Sequence, residues 1–123
     1  MINEKIYQKI YDELDKYLAP GWDSLVVYLE YGKASYSFSF YVKVNGEYVK
    51  CYDLAGVSEE ELTSSFKNID KQLADERKTE KESWSNMTVV IDSTGKMHAD
   101  LDYTDLSEGA YQYKKNWKKK YLV

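Results

Sequence analysis

The side chains best equipped for chemistry gather in one stretch, Trp84 to Leu106, WSNMTVVIDSTGKMHADLDYTDL. Asp92, His98, Asp100 and Asp102 fall there at positions of one parity, with Asp105 just beyond. The aspartates could hold a hard divalent cation, recognise a basic partner, or form an ordinary solvated face. Geometry disfavours the cation. Strand residues two apart stand about 6.5–7 Å from one another and point outward in parallel. A ligand cage needs oxygens that converge, and no loop here carries a calcium-type pattern. The chain has one Cys and one His, and strand parity puts Cys51 and His98 on opposite faces. They can then neither share the hydrogen bond of a nucleophilic Cys–His pair nor join in a zinc site. Cys51 reads as an ordinary buried thiol, and His98 as a surface imidazole. Gly32, Gly46 and Gly95 each fall in a turn without a following Lys-Ser or Lys-Thr ahead of a helix, so no phosphate loop is expected. The expectation is a recognition strip, with no catalytic residue, metal or cofactor.

The elements that must carry this strip follow from hydrophobic period. Ile6, Ile10, Leu14 and Leu18 recur at helical spacing within residues 3 to 18, and Pro20-Gly21 ends the run. Tyr36, Phe38, Phe40, Val42 and Val44 alternate with polar residues, Ser35 and Lys43 among them, and lead into Asn45-Gly46, a strong hairpin signal. Taken as a two-residue loop, Asn45-Gly46 sets Val42 opposite Val49 and Phe40 opposite Cys51. Gly32-Lys33, taken likewise, sets Leu29 opposite Tyr36, Val27 opposite Phe38 and Leu25 opposite Phe40. Both place Leu25, Val27, Leu29, Tyr36, Phe38, Phe40, Val42, Val49 and Cys51 on one buried face. The other face carries Tyr28, Glu30, Tyr41, Lys43, Tyr48, Lys50 and Tyr52. Ser58 with Glu59, Glu60 and Glu61 opens a second helix with a capping box, continued by Leu62, Phe66, Ile69 and Leu73. The charged segment from Asp75 to Ser83 reads as a solvated helix end or a loop. Met87, Val89 and Ile91 return as Met97, Ala99 and Leu101 across Ser93-Thr94-Gly95, a three-residue loop. Ser107 can cap a last helix with Ala110, Tyr113, Trp117 and Tyr121 on one side. The expected fold is α+β in the order α-β-β-β-α-β-β-α. It is one domain over 1–123, with a five-stranded antiparallel sheet and helices mainly on one face.

That arrangement leaves the Tyr28, Tyr41, Tyr48 and Tyr52 face open, a second candidate surface among 13 tyrosines. These rings can either shield the sheet, with Lys43 and Lys50 stacked between them, or form the centre of a protein interface. The chain has 123 residues and a net charge of −4. Lys114, Lys115, Lys118, Lys119 and Lys120 cluster near the C-terminus, and the rest carries about −9. A body of that sign repels nucleic acid and attracts basic partners. The opening residues, MINEKIYQKIYDEL, break their apolar positions with charges, against a signal peptide. No apolar run is long enough for a transmembrane helix. A lone Cys suits a reducing compartment, so the expected location is cytoplasmic.

Several segments resemble the YezG-like immunity proteins: the helix with EKIYQKIYDEL, the meander ending NGEYVKCYDL, the stretch from Trp84 through STGK and DYTDL, and the closing WKKKYL. Asp100, Asp102, Tyr103 and Asp105 match that family's acidic-aromatic motif. The resemblance implies an antitoxin that binds a cognate secreted polymorphic toxin, of a class whose C-terminal domains are often nucleases, in the cytoplasm of the producing cell. Together with the acidic strip and the tyrosine face read from strand parity, it leaves Asp92, His98, Asp100, Asp102 and Asp105, with Tyr41, Tyr48 and Tyr52, as candidate contacts for a basic domain. Neither nucleic acid nor membrane is expected as a direct partner, and the chain is expected as a monomer or weak homodimer. Two rivals stay open: a chaperone for an exported effector, whose element order is similar, and a metal-dependent hydrolase built on the aspartates.

Overall fold

The computed structural model describes residues 4–32, 36–79, 84–106 and 109–122. Helix α1 (Glu4–Leu14) buries Ile6, Ile10 and Leu14 and ends in a 3-10 turn, Asp15–Tyr17. Strands β1 (Trp22–Tyr31), β2 (Tyr36–Val44) and β3 (Glu47–Lys50) form the meander. Helix α2 (Glu59–Thr79) follows a second 3-10 turn, Cys51–Asp53. Strands β4 (Asn86–Asp92) and β5 (Met97–Asp102) make the second hairpin, and α3 (Ala110–Tyr121) closes the described chain. All pairings are antiparallel, in the order β3-β2-β1-β4-β5. This is the expected α+β order.

The Asn45-Gly46 turn forms as its residues dictate, with φ of 53° and 80°, and sets Val42 opposite Val49. The expected partner of Phe40 is displaced: β3 ends at Lys50, and Cys51 opens the 3-10 turn, still fully buried. The β1–β2 register also differs. Leu29 faces Phe38, Val27 faces Phe40 and Leu25 faces Val42, two residues from the Gly32-Lys33 expectation. The connection holds four residues, 32–35. The longer connection pairs Tyr31 with Tyr36 and sets Val27 against Phe40 in the core. A slip of two keeps parity, so the buried face survives the correction. Two of that set stand partly out: Tyr36, 36% exposed at the strand end, and Val49, half-buried on the edge strand β3.

That face packs on α1 and α2. Leu62, Phe66, Ile69 and Leu73 of α2 are buried with Leu25, Val27, Leu29, Phe38, Phe40 and Val42. Polar ties pin the layers: the Tyr17 and Ser65 hydroxyls lie 2.7 Å apart in the interior, and the Tyr31 hydroxyl donates to Asp70 Oδ1 at 2.6 Å. Ser58 Oγ caps α2 by accepting from the Glu61 N–H at 3.1 Å. The charged stretch after Asp75 continues this helix to Thr79. Lys33, Ser35, Ser83 and Ser107 lie outside the described residues, and α3 starts from Gly109 as its N-cap.

Two helices share one face, and the third covers part of the other. Val26, Tyr28, Tyr41 and Trp117 form a second, smaller core beneath α3. Strand β1 is therefore buried on both sides, every residue from Leu25 to Leu29. Among the described residues no helix is long and apolar enough to cross a membrane.

Candidate partner-binding site

The β4–β5 hairpin keeps the expected register. Ile91 faces Met97, Thr88 faces Asp100 and Asn86 faces Asp102, and the three-residue loop closes on Gly95 at φ 92°. Asp92, His98, Asp100 and Asp102 thus share the face opposite the main core, on or beside the edge strand β5. They are not equivalent. Asp92 Oδ1 accepts from the Thr94 N–H at 2.9 Å, the Lys96 N–H at 3.1 Å and the Thr94 hydroxyl. Its carboxylate holds the loop, and these donors, the Thr94 hydroxyl first, keep its pKa below the usual range. Asp102 repeats the device after β5: Oδ1 accepts from the Thr104 N–H at 2.9 Å and the Thr104 hydroxyl at 2.6 Å.

Asp102 also faces α3. On that helix Tyr113, Trp117 and Tyr121 recur every four residues, so they lie on one stripe, and each donates to the sheet. The Tyr113 hydroxyl reaches Asp102 Oδ2 at 3.0 Å and Asn86 Oδ1 at 3.2 Å. Trp117 Nε1 donates to Thr88 Oγ1 at 2.8 Å, and the Tyr121 hydroxyl donates to Asp100 Oδ2 at 2.6 Å. The Thr88 hydroxyl in turn donates to Asn86 Oδ1 at 3.0 Å, and Asn86 Nδ2 donates to the Leu29 carbonyl at 3.1 Å. Burial and the Asp100 hydrogen bond push the Tyr121 pKa up to about 12. Burial and Asp102 likewise push Tyr113 upward. Two carboxylates of the strip are therefore docking points for α3 as well as surface charges.

This dual role has an acid signature. Hydrogen bonds, chiefly from the Thr104 hydroxyl, lower the Asp102 pKa in the folded state. Its contribution is fully present above the unfolded value, about 3.9, and is lost as pH falls through the lower folded value. Asp102→Asn should cost stability at pH 7 but flatten the loss on acidification below about pH 4. Urea unfolding at both pH values checks this; an acid loss as steep as in the parent would count against it.

Between β5 and α3 lies a groove of 330 Å³ whose walls include Asp100, Asp102, Thr104, Asn116, Tyr121 and Lys120. Of the strip, exposed Asp100 and half-buried Asp102 line it, whereas His98 and Asp105 are exposed outside its walls and half-buried Asp92 lies at the hairpin loop. The tyrosine face divides. Tyr28 and Tyr41 are 1% and 4% exposed, with centroids 4.8 and 5.7 Å from Trp117, so both meet the chain's own helix. Tyr52 is 51% exposed and Tyr48 half-buried. Lys43 stacks over Tyr48 at 5.4 Å and Lys50 over Tyr52 at 5.8 Å, which makes that remnant basic. Lys114 lies 4.5 Å over the Tyr28 ring. Burial first, then Lys50 and Lys118, lower its pKa. Cys51 is buried in the main core, away from His98, and burial raises its thiol pKa. Among the described residues no three His, Cys, Asp or Glu side chains gather as a metal site would require.

Asn86, Thr88, Tyr113 and Trp117 form the polar seam that the residue-type reading missed. Its signal was present as LVVYL at 25–29, a continuous apolar run of the sort carried by strands covered on both faces.

A family described as immunity protein YezG-like has a model that matches residues 3–123. A curated relative, Immunity protein YezG of Bacillus spizizenii, is 26% identical over 113 residues, spanning 82% of this chain and 68% of its own. The match takes in the acidic hairpin and the α3 stripe, and with it the chain belongs to the YezG-like immunity protein family.

Proposed function

We propose that the protein neutralises a cognate secreted toxin by binding it directly, with the groove between β5 and α3 as the contact. The carrying observation is that groove: Asp100 and Asp102 stand in its wall, held by Tyr121 and Tyr113, in a member of an immunity family. Carboxylates oriented in advance lose little freedom on binding and steer a basic partner to the surface. A nuclease presents such a partner surface, since it must attract phosphates. Occupying that surface blocks it without any reaction. Tyr103, 51% exposed next to Asp102, and Asp105 extend the contact, and Tyr52 with Tyr48 stands outside it. The encounter belongs in the cytoplasm of the producing cell, before export or on re-entry of the toxin.

Co-expression with the toxin encoded beside this protein's gene should restore growth, and a purified pair should lose the toxin's activity. Failure with every adjacent toxin-like gene would overturn the reading. The contact itself is tested by Asp100→Asn, which keeps an acceptor for Tyr121 and removes the charge. Association with the toxin should slow about tenfold at low salt and converge with the parent at high salt. Equal rates at all salt concentrations would remove the groove as the contact.

A further inference from the structure

We propose that β5 is a self-complementary edge through which two copies of this chain pair antiparallel, about a two-fold axis at Ala99. The edge is open. Strand β5 ends the sheet, and the Asp92 N–H donates to the Lys96 carbonyl at 3.0 Å, marking 92 and 96 as a hydrogen-bonded pair. Antiparallel pairs alternate between bonded and unbonded types. With the β4–β5 register, His98, Asp100 and Asp102 therefore direct their N–H and C=O groups inward to β4. Met97, Ala99 and Leu101 direct theirs outward, and among the described residues nothing bonds them.

A two-fold axis through an outward-facing pair at Ala99 sets Met97 against Leu101 of the second copy and Ala99 against Ala99. Every outward N–H and C=O on both strands is then paired. The same register sets His98 against Asp100 and Lys96 against Asp102, each twice. An imidazole N–H can donate to a carboxylate. Asp100 spends one oxygen on Tyr121, and the other accepts no bond among the described residues. The symmetric registers on its C-terminal side serve the charges worse. Centring on Asp100 brings that carboxylate against itself, and centring on Leu101 sets Asp100 against Asp102, both repulsive. Lys96, His98 and Asp100 are exposed, and Met97, Ala99 and Leu101 half-buried, so the edge is accessible. The opposite edge, β3, has only 4 residues. One strand edge per copy buries far less than a standard interface, so the association is weak.

Sedimentation equilibrium of the full chain from about 10 μM to about 1 mM should show the mass rise above 14.4 kDa. His98→Lys should tighten the dimer about fivefold and His98→Asp weaken it about fivefold, since two equivalent cross-strand pairs change together. Ala99→Pro should abolish pairing while retaining the fold, because that N–H makes no bond to β4. Amide exchange at Met97, Ala99 and Leu101 should slow as concentration rises. A monomer at every concentration would overturn the proposal. So would a dimer whose constant ignores both His98 substitutions, since association would then lie elsewhere. No toxin enters this test, so its outcome is separate from that of toxin binding.

Discussion

Trp117→Ala is expected to lower the unfolding free energy by about 3–5 kcal/mol and to release α3 from the sheet. Trp117 is 4% exposed, packs edge-on against Tyr28 with centroids 4.8 Å apart, and stacks near Tyr41 and Tyr121. Removing the indole empties the centre of the smaller core and leaves Thr88 Oγ1, 1% exposed, without its donor. Tyr113 and Tyr121 remain, but each holds the helix by hydrogen bonds of about 1 kcal/mol net. They cannot replace the ring. Denaturant unfolding gives the global loss, and native-state hydrogen exchange locates it: α3 amides should open while α1, α2 and the central strands stay protected. A loss under about 1 kcal/mol would show that α3 is held by something other than this seam. Because α3 forms one wall of the groove, the same variant should also weaken toxin binding.

Phe40→Ala is expected to cost a similar 3–5 kcal/mol, but without selectivity for any helix. Phe40 is fully buried on β2, 5.6 Å from the Tyr17 ring and 6.2 Å from Phe66, where β2, α2 and the turn after α1 meet. Its loss should shift the whole cooperative transition. Ser37→Ala, at an exposed position on the opposite face of the same strand, should stay within about 0.5 kcal/mol. Comparable costs at the two positions would mean that the parity of β2 is wrong. The pair tests parity rather than register, since a slip of two residues leaves Phe40 inside.

Parity explains why so much of this fold was legible. Alternation along β2, β4 and β5 names the buried face whatever the exact pairing, so the Gly32-Lys33 expectation erred by two residues and, of the side chains it paired, only Tyr36 at the strand end stands out. The second hairpin was legible in full, because Ser93-Thr94-Gly95 admits one loop length and supplies the glycine its left-handed position needs. The acidic strip was also visible as a set: its members do share a face. What each carboxylate does there was not visible. Asp92 and Asp102 look alike in the chain and both organise a Thr two residues on, yet only Asp102 also receives a helix. That difference depends on where α3 lands.

The docking of α3 marks the boundary between the two kinds of knowledge. Sequence by itself determined the elements, the faces of the strands and the acidic character of the hairpin, because hydrophobic period and turn chemistry act over a few neighbouring residues. Tertiary structure alone decided that the Tyr28–Tyr41 face is an interior and that Asp100 and Asp102 line a groove. Those outcomes join Thr88 to Trp117 and Asp100 to Tyr121, 29 and 21 residues apart. An amphipathic helix specifies which of its sides must be covered but not which sheet face covers it. Here the choice went to the face where buried Asn86 and Thr88 could satisfy the tyrosine and tryptophan donors.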